Sequence, residues 1–148
     1  MAPRRASLPL DRFLTYRLHE VSKITDKAST DAYAQELGLP VGEARCLAAI
    51  GNFEPLSVAR LAARANLDKA QASRAAQALV ERGWVRKEAS AEDGRGVVLQ
   101  LSAQGRRWWT RVMQLIARRN EEIFGCLGRA EQEQLAAMLE RVVAHARG

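Results

Sequence analysis

Apolar side chains recur near the start of the chain at intervals that fit one side of a helix. The stripe consists of Leu10, Leu14, Leu18, Val21, Ile24 and Ala28. Because an α-helix turns once in about 3.6 residues, steps of three and four keep these positions on one face. The pattern predicts an amphipathic helix over 10–29. A second helix is predicted from Pro40, whose fixed φ suits a first helical turn, to Gly51-Asn52.

Two short helices with their own capping signals follow. Ser57 is a good N-cap for a helix over 58–65, because its hydroxyl can accept from an otherwise unpaired backbone N–H. Asp68 caps the next helix, with Gln71 at capping-box spacing, and this helix is expected to stop at the following glycine. Asn66 lies between the two, where a left-handed residue is needed. Two such helices predict a helix-turn-helix.

Beyond Gly83 the apolar period changes from that of a helix to that of a strand. Residues 85–89 and 97–101 alternate between apolar and polar or charged side chains, and a glycine-containing turn at 92–96 separates them. This pattern predicts a β-hairpin. Long helices are then expected from Ser102 to about Cys126 and from beyond Gly128 to the C-terminus. The predicted fold is mainly α: a winged helix-turn-helix with a two-stranded wing, flanked by helices at both ends.

Composition narrows the function. The chain has 148 residues, the size of one domain or one subunit, and a net charge of +6. It has no secretory signal and no apolar run long enough to cross a membrane, so a cytoplasmic protein without membrane contact is expected. Cys46 and Cys126 are far apart and only two histidines occur, so neither a metal site nor a cofactor is expected. No catalytic motif is found, so an enzyme is not expected.

The positive charge is concentrated in one segment. Residues 57–87 hold seven Lys and Arg side chains against two acidic ones. Such a surplus creates a local positive field that attracts polyanions. The alternative is a solvated helical face.

A winged helix with this charge suits duplex DNA. The second helix of the pair enters the major groove, where Gln can bind adenine, Arg can bind guanine or phosphate, and Ala can touch a thymine methyl. Arg95, between two glycines of the turn, is suited to the minor groove, and Asp93 would brace it. The candidate DNA contacts are Ser57, Lys69, Gln71, Ala72, Ser73, Arg74, Gln77, Arg86, Lys87, Asp93 and Arg95.

Residues 39–105 resemble the winged-helix core of the MarR family of bacterial transcriptional regulators. The matching stretches are LPVGEARCLAAI, PLSVARLAARANLDKAQASRAAQALVERGWV and EDGRGVVLQLSAQG. The most specific are the Leu-Asp-Lys-x-x-x-Ser-Arg segment at 67–74 and the wing. The resemblance implies one subunit over 1–148, with a DNA-binding part at 39–101 and a dimerisation part at 8–38 and 102–148.

The resemblance also implies a homodimer on a near-palindromic operator, and family habit favours a repressor. Its two recognition helices would lie one DNA turn apart, about 34–36 Å. Many relatives release DNA when a small anionic aromatic compound binds. The candidates for such a pocket are Tyr16, Arg17, His19, Arg45 and Trp108.

Three alternatives remain open at this point. Trp108 fits a plain dimer core as well as a ligand pocket. A non-specific architectural DNA-binding protein would carry the same positive charge, and only a specificity ratio separates it from a regulator. Some relatives sense oxidants through a cysteine, but Cys46 falls on the apolar side of its helix, where burial would make the thiol inert.

Overall fold

The computed structural model of the chain describes residues 7–90 and 96–148. The chain divides into two compact units, Met1–Met113 and Gln114–Gly148. The first unit contains α1 (Leu14–Ala32), α2 (Val41–Phe53), α3 (Val58–Arg64), α4 (Lys69–Glu81), β1 (Val85–Ala89) and β2 (Val97–Leu101). Helix α5 (Ala103–Phe124) begins in the first unit and ends in the second, which also holds α6 (Arg129–Arg147). The predicted winged helix with a two-stranded wing is confirmed.

The first helix differs from the prediction at both ends. A short 3₁₀ turn, Leu10–Arg12, precedes α1, and a π-type turn, Tyr33–Leu37, extends it. The segment ends at Gly38, which adopts the left-handed φ of 64° that favours glycine at a helix terminus. No residue of α1 is buried. Its apolar stripe therefore contributes little to the core of the first unit.

The second helix begins after Pro40, as predicted, but it does not end at Gly51-Asn52. It continues to Phe53, and Gly51 lies inside it because the Trp109 ring packs there. A Cβ built on Gly51 would lie 2.1 Å from Trp109 Cδ1. The Trp109 indole N–H also donates to the Ala48 carbonyl at 3.2 Å. The glycine thus serves a close helix–helix contact and not a helix end.

The capping signals of the helix-turn-helix are confirmed. Ser57 Oγ accepts from the Arg60 N–H at 3.2 Å, and Asp68 accepts from the Gln71 N–H at 2.7 Å. Gln71 Oε1 in turn accepts from the Asp68 N–H at 3.2 Å, which completes the capping box. Asn66 has the expected left-handed φ of 55°. These local bonds fix the start of α4 independently of the rest of the core.

The two strands pair antiparallel, with Val85 opposite Leu101 and Lys87 opposite Leu99. Leu99 is fully buried and also bonds through its backbone to Leu56, ahead of α3. The hairpin is therefore tied to the start of the helix-turn-helix. Its predicted turn at 92–96 lies outside the described residues except for Gly96.

The start of α5 lies directly against the hairpin. Ser102 Oγ accepts from the Gly105 N–H at 3.0 Å and donates to the Gly83 carbonyl at 2.6 Å, so the predicted cap is confirmed. A Cβ on Gly105 would lie 1.9 Å from the Trp84 carbonyl oxygen, so only glycine allows this approach. Fully buried side chains from different elements, among them Leu47, Leu61 and Val112, form the core of this unit.

In the second unit, Gly128 precedes α6 and its N–H donates to Glu131 Oε1 at 2.8 Å. Gln132 Nε2 donates to the carbonyls of Phe124 and Leu127, which fixes the turn between α5 and α6. No residue of α6 is buried. Among residues 7–90 and 96–148, no helix is long and apolar enough to cross a membrane. The same residues contain no cluster of three or more side chains able to hold a metal ion.

Candidate nucleic-acid interface

Helix α4 presents two distinct faces. Ala72, Ala75, Ala76 and Leu79 are buried, at the spacing of one helical side. The opposite face exposes Lys69, Ala70, Gln71, Ser73, Arg74 and Gln77. The buried alanines allow α4 to pack closely on the core, and this packing holds its exposed polar face in a fixed orientation.

The expectation that Ala72 is exposed is wrong. It has no accessible surface, because it starts the i, i+3, i+4, i+7 series that faces the core. Ala72 cannot touch a base in this fold. Ala70 is the small residue on the exposed face, and a step of four positions back from Ala76 would have placed Ala72 on the buried face.

Two predicted DNA contacts also have structural roles. Gln71 closes the capping box, and Ser57 caps α3 from a half-buried position. In these bonds both side chains accept, so the Ser57 hydroxyl hydrogen and the two hydrogens of the Gln71 amide can still be donated to another partner. Their DNA contacts remain predictions.

The positive charges of the segment 57–87 differ in how far they are neutralised. Arg82 Nε lies 2.8 Å from Glu43 Oε1, and Arg86 lies 3.8 Å from Glu88. Within the described residues, Lys69 and Arg74 have no ion-pair partner and are exposed. Arg60 and Arg64 of α3 are likewise exposed and take part in no described ion pair, so the available positive charge lies on α3 and on the outer face of α4. Glu43, which comes from outside the segment, pairs with Arg82, so the sequence count of the segment overstates its free charge.

A polar bridge connects β1 of the hairpin with α4. Lys87 Nζ donates to Gln77 Oε1 at 2.8 Å, and Gln77 Nε2 donates to Glu81 Oε1 at 3.4 Å. Lys87 and Gln77 were both predicted as DNA contacts, and the structure brings them together. Glu81 was not predicted, although its i+4 spacing from Gln77 is visible in the sequence.

The wing tip carries the remaining predicted contacts. Asp93 and Arg95 lie outside the described residues. Arg86 is on β1, exposed, and close to Glu88 on the same strand.

The predicted effector residues are distributed over separate places in the first unit. Tyr16, Arg17 and His19 lie on the exposed N-terminal half of α1. Arg45 pairs with Asp26 at 3.0 Å, and Asp26 lies about 13 Å along the helix axis from Arg17 at the usual rise per residue. The described contacts therefore do not bring Arg45 to the Tyr16 end of α1.

Trp108 stacks on Trp84 with ring centroids 4.5 Å apart and an angle of 20° between the planes. Arg111 lies 4.3 Å from the Trp108 ring centroid, and Arg82 lies 5.0 Å from that of Trp84. Each of the two stacked rings therefore has one arginine against it, and both the stack and the two cation-π contacts are attractive. Trp108 thus lies half-buried on α5 and packs within its own chain against Trp84, which follows the helix-turn-helix.

Sequence reasoning missed Glu54. Its Oε2 accepts from the Leu101 N–H at 2.8 Å, and its Oε1 accepts from Arg106 Nη2 at 2.5 Å. One carboxylate thereby joins the end of α2, the end of β2 and the start of α5. No local pattern identifies it, because its partners are far along the chain.

Cys46 is fully buried, as predicted. Burial in apolar surroundings, with a smaller contribution from the negative charge of Glu43, raises the pKa of its thiol from 9.0 to about 12. A thiol held neutral is a poor nucleophile. Cys126 is exposed in the second unit.

The second unit contains clefts lined by residues that were not predicted. One of about 250 Å³ is lined by Asn120, Phe124, Gln132, Leu135, Ala136 and Leu139. Another is lined by Met138, Arg141, Val142, Ala144 and His145 of α6.

Comparisons with known proteins agree with the resemblance noted in the sequence. Residues 37–96 match the model of the MarR family. The fold is similar to that of a MarR family transcriptional regulator from Silicibacter pomeroyi DSS, at 23% identity over 99% of this chain and 97% of that one, with a TM-score of 0.84. A MarR/EmrR family transcriptional regulator from Acinetobacter sp. ADP1 is 22% identical over 95% and 99% of the two chains, with a TM-score of 0.85.

A third similar structure concerns regulation of the DNA binding of Bordetella bronchiseptica BpsR by 6-hydroxynicotinic acid. It is 15% identical over 93% of this chain and 98% of that one, with a TM-score of 0.80. No curated protein sequence matches the chain.

Proposed function

We propose that this chain, which belongs to the MarR family of transcriptional regulators, is a repressor that binds a pseudo-palindromic operator as a homodimer and releases it when a small anionic aromatic compound binds. The observation that carries the proposal is the outer face of α4, where Lys69 and Arg74 are exposed without an ion-pair partner in the described part of the chain. In this proposal residues 39–101 contact DNA. Residues 8–38 and 102–148 form the dimer.

The chemistry of that face suits both affinity and base reading. Unpaired Lys and Arg side chains bind phosphates and release counterions, while Arg can also bind guanine through two hydrogen bonds. Gln77 supplies an amide for adenine. The capping box and the buried alanines support the proposal because they hold these side chains on a rigid element.

Arg74→Ala tests the interface. It should weaken operator binding by about 5- to 150-fold if the guanidinium contacts a base, the range that one good bidentate contact supplies. Arg129→Ala is the matched control, since it also removes one exposed arginine charge, and the described partner of Arg129 is Glu133 on the same helix, α6. Both variants are titrated against operator and random DNA at one salt concentration. Equal binding by wild type and Arg74→Ala would contradict the assigned interface.

The exposed apolar residues of the terminal helices support a homodimer. Leu14 is 77% exposed and Ile24 66% exposed on α1, while Val142 is 57% exposed on α6. Exposed apolar stripes of this length mark interaction surfaces, and pairing with a second copy would remove them from water. Analytical ultracentrifugation of Leu14→Asp should show monomer at concentrations where wild type is a dimer. Lys23→Asp, a change at an exposed polar position of the same helix, should leave the dimer intact.

An anionic aromatic effector is supported by the BpsR structure, whose DNA binding is regulated by 6-hydroxynicotinic acid. Arginines on α1 and α2 could pair with a carboxylate. A thermal-shift screen of aromatic carboxylates, followed by DNA-binding assays of the hits, tests this part. A compound that raises the melting temperature without releasing DNA would contradict simple induction.

Binding strength and specificity separate the proposal from a non-specific architectural protein. A regulator should prefer its operator over random DNA by about 10³-fold or more. A redox mechanism through Cys46 is opposed by its burial and its raised pKa.

A further inference from the structure

We infer that Lys87 and Glu81 are positioning residues that hold the Gln77 carboxamide ready to read an A·T base pair. The inference rests on the proposed function and goes beyond it by assigning one recognition step to a three-residue bridge. The bridge runs from β1 to α4 through two hydrogen bonds, Lys87 Nζ to Gln77 Oε1 at 2.8 Å and Gln77 Nε2 to Glu81 Oε1 at 3.4 Å.

The two partners determine which way the amide faces. A lysine ammonium can only donate and an ionised glutamate can only accept. The Gln77 oxygen must therefore face Lys87 and its nitrogen must face Glu81. An unbridged glutamine on an exposed helix would have to lose rotamer freedom on binding DNA, and prior ordering lowers that cost.

The bridge leaves the amide able to bind a base. A carboxamide oxygen has two lone pairs and its nitrogen carries two hydrogens, of which the bridge uses one each. Adenine requires one acceptor for its N6–H and one donor to its N7. Gln77 can thus keep both bridge partners while it forms the bidentate contact.

The position of Lys87 on the hairpin explains how it reaches the helix. Lys87 lies opposite Leu99, and directly opposed residues of two strands point to the same face of a sheet. Leu99 is buried, so this is the inner face, and β1 packs against α4. Lys87 itself is exposed, and from this face of the hairpin its ammonium extends to the exposed edge of α4.

Base selection distinguishes a positioning role from a phosphate contact. Wild type should select adenine at one position in each half-site, and Gln77→Ala should abolish that preference, a loss of about 5- to 150-fold in discrimination. Lys87→Met should weaken preference at the same position. Glu81→Ala removes a negative charge near DNA, so it should hold or raise total affinity while it lowers this discrimination. An electrostatic role alone would not change the two quantities in opposite directions.

Several results would overturn the inference. If Lys87→Met weakens binding to all sequences equally and reduces the salt slope by about 1, Lys87 is a phosphate contact. Unchanged selection by Gln77→Ala, or selection of a different base pair, removes the assigned reading. A wild-type protein that selects no sequence at all contradicts the proposed function itself, so the two failures are distinguishable.

Discussion

The contact between Gly51 and Trp109 predicts opposite outcomes for two glycine substitutions in α2. Gly42 and Gly51 both lie in this helix, and alanine at a helical glycine normally stabilises by about 0.5–1 kcal/mol. A Cβ on Gly42 meets nothing within 4 Å, whereas a Cβ on Gly51 would lie 2.1–2.6 Å from three atoms of the Trp109 ring. Gly42→Ala should therefore stabilise the protein, and Gly51→Ala should destabilise it.

The size of the effect at Gly51 follows from what the indole must do. Moving a large ring in a packed interior costs about 1–3 kcal/mol. Displacing it also lengthens the bond from the Trp109 N–H to the Ala48 carbonyl, a bond of about 0.5–1.5 kcal/mol. After subtraction of the stabilisation that alanine gives a helix, we expect Gly51→Ala to lower the unfolding free energy by about 1–3 kcal/mol. This corresponds to a melting temperature lower by about 2–12 °C.

Thermal unfolding followed by circular dichroism measures both variants at one protein concentration, because the proposed dimerisation would make the melting temperature concentration-dependent. A double-mutant cycle with Trp109→Ala isolates the contact, since Gly51→Ala should become neutral or stabilising once the ring is absent. If Gly51→Ala is as stable as Gly42→Ala in the wild-type background, the packing of α5 on α2 described above is wrong.

Three further predictions concern the N-cap of α4, the Glu54 carboxylate and the buried Cys46 thiol. Asp68→Ala removes the N-cap of α4 and should lower both operator affinity and the unfolding free energy, the latter by about 0.5–2 kcal/mol in denaturant titrations. An unchanged unfolding free energy and an unchanged affinity would exclude a stabilising role of this cap. Glu54→Ala should lower the unfolding free energy by about 1–3 kcal/mol, because the part-buried Leu101 N–H loses its acceptor. Glu54→Gln keeps an acceptor for that N–H and weakens only the half-exposed pair with Arg106, so it should lower the unfolding free energy by less than about 1 kcal/mol. The pKa of the Cys46 thiol is raised from 9.0 to about 12 in the folded protein. Above pH 9.0 the thiol therefore keeps its proton in the folded protein but loses it in the unfolded chain. The wild-type unfolding free energy should therefore fall by about 1.4 kcal/mol per pH unit above that pH relative to Cys46→Ala, and parallel pH profiles would contradict the burial of the thiol.

Local signals in the sequence predicted the winged helix well. The caps at Ser57 and Asp68 and the left-handed Asn66 depend on neighbouring residues only, and all three occur in the structure. The hairpin strands were also predicted correctly, because their period of two is a local property.

Features that depend on distant residues could not be predicted. Gly51 was interpreted as a helix end because nothing nearby indicates that Trp109 packs on it. The inclusion of Ala72 among the exposed residues was instead a local error of helical phase, which the positions of Ala76 and Leu79 could have corrected. The bond from Glu54 to Leu101 and the stack of Trp84 on Trp108 join separate elements, so only the fold reveals them.

The most direct test of the central claim is the ratio of affinities for a selected operator and for random duplex DNA at one fixed salt concentration. If the protein binds DNA as a dimer and the outer face of α4 contacts base edges, the selected site should be an inverted repeat with half-sites about 10–10.5 base pairs apart. The protein should bind this site about 10³-fold or more tightly than random DNA. A ratio near one, with affinity set only by salt, would show a backbone binder and contradict the account.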